Sequence, residues 1–296
     1  MTKVVLIPYL NPLRFRPLAG GKSACDLIPS FEEKAIYVQK FCATDKLMFQ
    51  VLLLKNNWFS MGYEVLNESF EIVAYYTGGL IGSYGDYDVW SPRSTDQIIE
   101  SLQPGSYYIQ LKPEILVDEV QTFVNHISEK FEIVEDLPES LLIEYSHDGN
   151  EFDVAFYPTG LVHSRRFFQL RVEGGLASEG FSPASKDTFY VDQLRDIVLL
   201  SSIPFNVYKF TFGPGGGLPN WMADKINRIL SLAYVEFNGR QYVKNEGAKF
   251  EAIREKQYPF AGWQIEMVPA ENVYSITEGQ GSQLGDFNPD YNPDYF

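Results

Sequence analysis

FFQLRVEGG (Phe167–Gly175), PGGGLPNWMADKINRILS (Pro214–Ser231), VEFNGRQYVK (Val235–Lys244) and YPFAGWQIEMVPAENVYS (Tyr258–Ser275) lie in order along one stretch of the chain. They read as a strand, a helix, a hairpin and a closing strand. The helix signal is the sharpest. Met222, Ile226, Ile229 and Leu230 recur on one face of a 3.6-residue repeat. Pro219 suits the first turn, where its missing N–H is not needed. Asn238-Gly239 separates two short strand-like runs and predicts a two-residue hairpin turn. The expected unit is a β-rich module with one helix, and no residue in it matches a catalytic motif.

Upstream, AIYVQKF, LMFQVLLL, SFEIVAYY and GSYYIQLK are rich in β-branched and aromatic residues, with turn signals at KNNW and TGG. STDQIIESL (94–102) suits a short helix capped by Ser94 or Thr95. In VDEVQTFVNHISEKF (117–131), Val120, Phe123, Val124 and Ile127 fall at helical spacing, which predicts a second short helix. SLLIEYSHDGNEFDVAFY reads as a hairpin turning at residues 147–150, because Asp148-Gly149 is a strong turn pair. EGGLASEGFSPASKD (173–187) is small and polar, and reads as a long loop where a partner could lie. TFYVDQLRDIVLL and FNVYKFTFG return to strand composition.

The predicted class is therefore mainly β and β-sandwich-like, with a few short helices. Residues 1–34 form an extended arm punctuated by Pro8, Pro12, Pro17 and Pro29, which resist helix and central strand. A β-rich domain spans 35–135. A second spans 136–275 and holds the helix near 219–231. Residues 276–296, with the duplication NPDYNPDYF, are an acidic flexible tail.

Composition narrows the function. Hydrophobic residues make up 45% of the 296, enough for a packed core. A net charge of −15 with scattered Lys and Arg argues against nucleic acid and anionic membrane as partners. No apolar run is long enough to span a bilayer, and the N-terminus lacks a signal-peptide pattern. Cys25 and Cys42 read as free thiols, and the widely spaced His126, His147 and His163 do not suggest a metal site.

Several motifs fail on inspection. GGKS (residues 20–23) resembles the end of a phosphate loop, but Arg16 stands where that motif needs glycine. PGGGL precedes the helix without a suitable lysine, and reads as a tight helix entry. Asp286, Asn288, Asp290, Asn292 and Asp294 alternate like calcium ligands but lack the central Gly and distal Glu. His147, Asp148 and Glu144 read as turn residues, and His163-Ser164 has no nucleophile elbow. Carboxylate pairs such as Glu68/Glu71 and Asp86/Asp88 arise by chance among 39 acidic residues. No catalytic residue, cofactor or metal is expected.

Aromatics carry the remaining signal. Trp58, Tyr84, Tyr87 and Trp90 surround glycine-rich turns, and Tyr291, Tyr295 and Phe296 end the tail. Such rings suit a protein interface or a sugar-binding platform. RVEGG, LPNWMADKINRIL, VEFNGRQYVK and YPFAGWQIEMVPAENVYS, with the earlier YVQKF and LMFQV, resemble segments of phage or prophage tail proteins of Bacteroidetes-type hosts. The resemblance covers roughly residues 35–275 in patches. It implies a non-enzymatic virion subunit of the tail or baseplate region, made in the host cytoplasm and assembled with other virion proteins, in a homo-oligomeric ring. The alternative is a carbohydrate-binding β-sandwich for receptor recognition.

Overall fold

The computed structural model of the chain describes residues 5–8, 11–18, 37–92, 99–117, 119–146, 168–191, 193–253 and 260–270. They are mostly strand, arranged in two curled sheets with one helix of ten residues among the described residues. The mainly-β, sandwich-like class expected from the sequence is what is observed.

The first sheet uses β1 (Val5–Leu6), β2 (Phe15–Pro17), β3 (Gln39–Cys42), β4 (Val51–Leu54), β5 (Trp58–Asn67), β6 (Ile72–Tyr84), β7 (Tyr87–Pro92), β8 (Gly105–Val117), β9 (Val120–Phe123), β10 (His126–Ser128) and β11 (Phe131–Val134). Its main path runs β1-β4-β7-β6-β5-β8-β10-β2, with β9 and β11 also on β8 and β3 on β11. All pairs are antiparallel except β3–β11. Alternation sets the faces. Met61, Tyr63 and Val65 of β5, with Ile109 and Leu111 of β8, turn into the core beside Phe15, Phe41, Phe49 and Phe131.

Two expectations are corrected here. The described parts of residues 1–34 are not a free extension. Asn11, Leu13 and Phe15 are buried, and β1 and β2 pair with β4 and β10. Pro8 and Pro12 fall outside the strands, and Pro17 ends β2, the terminal strand of the path, where a missing N–H is tolerated. The segment 117–131 is not helical; it forms β9 and β10, both paired to β8. Its helical spacing is a coincidence that sheet pairing overrides. Of the helix expected at 94–102, only Ile99 and Glu100 are described as helical, and residues 93–98 lie outside the description.

The second sheet uses β12 (Ser140–Ser146), β13 (Phe168–Val191), β14 (Ile197–Phe212), helix α1 (Asn220–Ile229), β15 (Tyr234–Phe237), β16 (Arg240–Lys244), β17 (Glu251–Ile253) and β18 (Gly262–Pro269). The order β14-β13-β12-β15-β16-β18 is closed by a direct β14–β18 ladder. Closure removes the open edges that a flat sheet would present. Asn238 and Gly239 both take positive φ, 49° and 82°, as a type I′ turn requires. Pro219 sits at the helix N-cap, and its carbonyl accepts from Met222 and Ala223 N–H. The predicted face of Met222, Ile226, Ile229 and Leu230 is buried against the sheet. The expected turn at 147–150 lies outside the described residues, and β12 instead meets β13 from Phe168 onward.

The two sheets are joined by polar contacts. Arg171 of β13 forms two bonds to Asp45, one of them Nε to Oδ2 at 2.6 Å, and Asp45 also accepts from Cys42 N–H. These bonds raise the guanidinium pKa further above its ordinary value. Lys40 pairs with Glu173 at 2.7 Å, and Lys46 N–H donates to Gln169 Oε1. On the other side Lys225 of α1, wholly buried, donates to the Asn11 carbonyl at 2.9 Å, while Arg14 lies 3.7 Å from the Trp221 ring centre.

Asp45 is 1% exposed in its side chain and Arg171 12%. Removing one partner of so enclosed a pair leaves the other charge stranded, at a cost of about 3–5 kcal/mol. Urea unfolding of Asp45→Ala should show that loss. A loss below about 1 kcal/mol, the range of a surface pair, would mean the contact does not hold the sheets together.

Candidate functional site

The aromatic residues singled out in the sequence separate into two groups. Trp90 is 7% exposed and belongs to the first core. Trp58 meets it edge to face at 4.7 Å, and its indole N–H donates to Asp88 Oδ2 at 2.7 Å. Asp88 is held in turn by the Ser83 hydroxyl. The expected surface role of Trp90 is thereby corrected: every residue of β7 after Tyr87 is buried, Trp90 among them. Tyr84 and Tyr87 pair across the β6–β7 turn, Tyr84 exposed and Tyr87 half-buried. Tyr291, Tyr295 and Phe296 lie outside the described residues, as do the tail carboxylates, residues 20–23, His147 and His163. Among the described residues no group of three or more His, Cys, Asp or Glu is placed to hold a metal. No described helix is long and apolar enough to cross a membrane.

A different feature dominates the surface. Residues 173–187, expected as a loop, are strand. β13 runs from Phe168 to Val191 and pairs with β14 from Gly174 onward, apart from a bulge over residues 177–180. The inner half of this hairpin belongs to the closed sheet. Beyond Phe181↔Tyr208, from Ser182↔Val207 to Val191↔Ile197, it continues as a two-stranded ribbon past the end of the β14–β18 ladder. At a rise of about 3.3 Å per residue this arm is roughly 33 Å long.

Glycine makes the departure possible. The ladder slips between Leu176 and Phe181, a bulge that re-aims the ribbon. A Cβ on Gly180, inside the bulge, would sit 2.7 Å from both the Ala177 and Lys209 carbonyl oxygens. Only glycine fits the two strands this close.

The tip of the arm is apolar and exposed. Phe189, Val191, Ile197 and Leu199 share one face near the tip and are 54–71% exposed. Tyr190 and Val198 lie on the other face, and Leu200 and Ile203 add to the exposed surface. Such a ribbon alone is marginal in water. A smaller apolar strip, Phe70, Val73, Tyr75 and Phe123, is exposed on the first sheet. The signal for the arm was present in the sequence: FYV and IVLL flank the polar run DQLRD, a hairpin pattern with a longer turn.

At the far end of the same hairpin the PGGGL turn opens a cleft of about 510 Å³ beside Phe212, Ile253, Phe260 and Trp263. Gly217 N–H bonds the Gly213 carbonyl, and Leu218 pairs with Ala261 before the helix starts. The tight helix entry expected for this run is present.

Comparison with protein-family models, curated proteins and solved structures finds no match to this chain.

Because the arm contributes little to either core, its removal should leave the body intact. Replacing residues 183–206 by Asn-Gly, which joins Ser182 and Val207 through a tight turn, should change unfolding free energy by less than about 1 kcal/mol. Gly174→Val, by contrast, crowds the body itself, since a Cβ there would sit 2.3 Å from the Thr211 carbonyl oxygen, and should cost about 1–3 kcal/mol. Chemical denaturation of both variants checks the pair.

Proposed function

We propose that this protein is a non-enzymatic structural subunit of a phage-like particle, in the tail or baseplate region, and that it joins its neighbours through the β13–β14 arm. The observation that carries the reading is the projecting ribbon with Phe189, Val191, Ile197 and Leu199 exposed on one face. An uncovered apolar surface of this kind marks an interaction site. Each of the arm's two faces measures roughly 33 Å by 10 Å, on the order of 600–700 Å² in all, close to the ~800 Å² per partner of a stable interface. The rigid, closed body at its base suits a subunit that must hold the arm in a set direction. The resemblance to tail proteins points to the same kind of role. The sugar-binding alternative draws less support, since Trp90 is committed to the core and Trp58 to Asp88.

Immunogold electron microscopy on particles purified from the source should place this protein at one end of a tailed particle. The double variant Phe189→Asp/Ile197→Asp should accumulate in the lysate but be missing from particles. Wild-type protein abundant in the lysate and absent from particles would overturn the assignment.

A further inference from the structure

The outer face of the first sheet carries polar groups at its centre and aromatic rings around them. Tyr63 and Val65 of β5 turn into the core, so alternation turns Gly62 and Glu64 to the opposite face. Lys112 of β8 lies opposite Gly62, and its Nζ donates to Glu64 Oε1 at 2.8 Å. One pleat further along β8, Glu114 accepts from the Ser60 hydroxyl at 2.7 Å and from the Gln121 amide. Phe123 of β9 stands opposite Glu114, its ring centre 5.9 Å from the Lys112 nitrogen. From β6, Tyr75 reaches across to Gly62, where a Cβ would sit 2.8 Å from the phenol oxygen. Tyr75 and Phe123 are both more than half exposed.

The rings continue toward the β5–β6 turn. Phe70 stacks on Tyr108 of β8, with ring centres 5.0 Å apart and planes 19° from parallel. Phe70 holds φ at 60°, a region that is costly for a bulky side chain. Asn67 fixes this turn, its Oδ1 accepting from the Ser69 and Glu71 N–H groups. The strained turn holds an exposed ring on the surface, outside the core. From Tyr108 to Glu114 the face extends about 20 Å along β8.

We infer that this face binds a neutral glycan chain. A protein interface has the reverse layout, an apolar centre depleted in charge and a polar rim. Here the charged groups occupy the middle and the rings flank them. A sugar matches that layout. Its C–H faces pack on aromatic rings, and its hydroxyls both donate and accept. A carboxylate has about four acceptor sites and an ammonium three donors, so the bonds among Glu64, Lys112, Glu114 and their neighbours leave capacity for hydroxyls. The same bonds hold these side chains in place before a ligand arrives, which lowers the cost of ordering them. Charge selects among glycans. Two carboxylates stand against one ammonium at the centre, and the chain carries −15 overall, so sialylated, uronate and sulfated chains are repelled. The length of the face suits a chain of several sugar units. Trp58 and Trp90, whose commitments weaken the sugar-binding reading above, take no part in it. Receptor contact through this face is a further function of the subunit and does not depend on the arm.

On an array displaying neutral, sialylated, uronate and sulfated glycans, the full-length protein should bind neutral chains alone. For the chain bound best, Tyr75→Ala and Phe123→Ala should each weaken binding about 10-fold in isothermal titration while keeping the native circular dichroism spectrum. Gly62→Ala removes no ring but displaces the Tyr75 phenol, and should weaken binding about 3-fold. The arm variant Phe189→Asp/Ile197→Asp should bind the glycan as wild type does, so this site and the assembly reading fail separately. Binding confined to acidic chains, or an affinity unchanged in Tyr75→Ala/Phe123→Ala, would overturn the inference. Silence across the neutral chains would overturn it in favour of a protein partner on this face.

Discussion

Strand β14 has more ladder than its neighbour can cover, and much of the molecule follows from that. Residues 208 and 210–212 pair on both sides, with β13 and with β18, and this double pairing closes the second sheet. The pairing with β18 ends at Tyr208↔Met267, and beyond it only β13 continues alongside. The same two strands are therefore the wall of the body and the shaft of the arm. The bulge and Gly180 sit at the junction because a continuous regular ladder would not let the ribbon leave the curl of the sheet.

The body can support such an arm because its two sheets are locked by groups that tolerate little misplacement. Asp45 and Arg171 form a bidentate pair that suits only one relative placement of β3 and β13. The buried Lys225 is satisfied by the Asn11 carbonyl and the nearby Trp221 ring, 5.1 Å away. Polar groups this enclosed add less net stability than their contacts suggest, because desolvation offsets much of the attraction. Their effect here is geometric. They set N-terminal residues 11–15 against the second sheet, so the arm is carried by the whole body and not by one sheet.

Apolar surface left on an open ribbon is hazardous, since edges and faces alike invite non-specific pairing. The chain manages the edges with Pro183 and Pro204 but leaves the faces exposed. That division is consistent with a partner that reads side chains and not backbone. The net charge of −15 adds like-charge repulsion between copies, which opposes non-specific association.

Local sequence determined those elements whose cause is local. The Asn238-Gly239 turn, the α1 face and the β class follow from backbone propensity and short-range periodicity, and they are where the residues predict them. Sequence misled where the deciding contact is remote. Residues 173–187 carry Gly, Ala, Ser and Pro and look like a loop, yet they are strand because β14 supplies the ladder. Val120, Phe123 and Val124 have helical spacing, but β8 offers an edge to pair with. Trp90 sits among turn residues and resembles a surface ring until the register of β7 against β4 and β6 turns it inward. The chain by itself thus determined that the protein is mainly β, where α1 lies and which turn is tight. Only the tertiary structure decided which strands outlast their neighbours, because a ladder ends where its partner ends, and that is set by pairing between segments far apart in the chain.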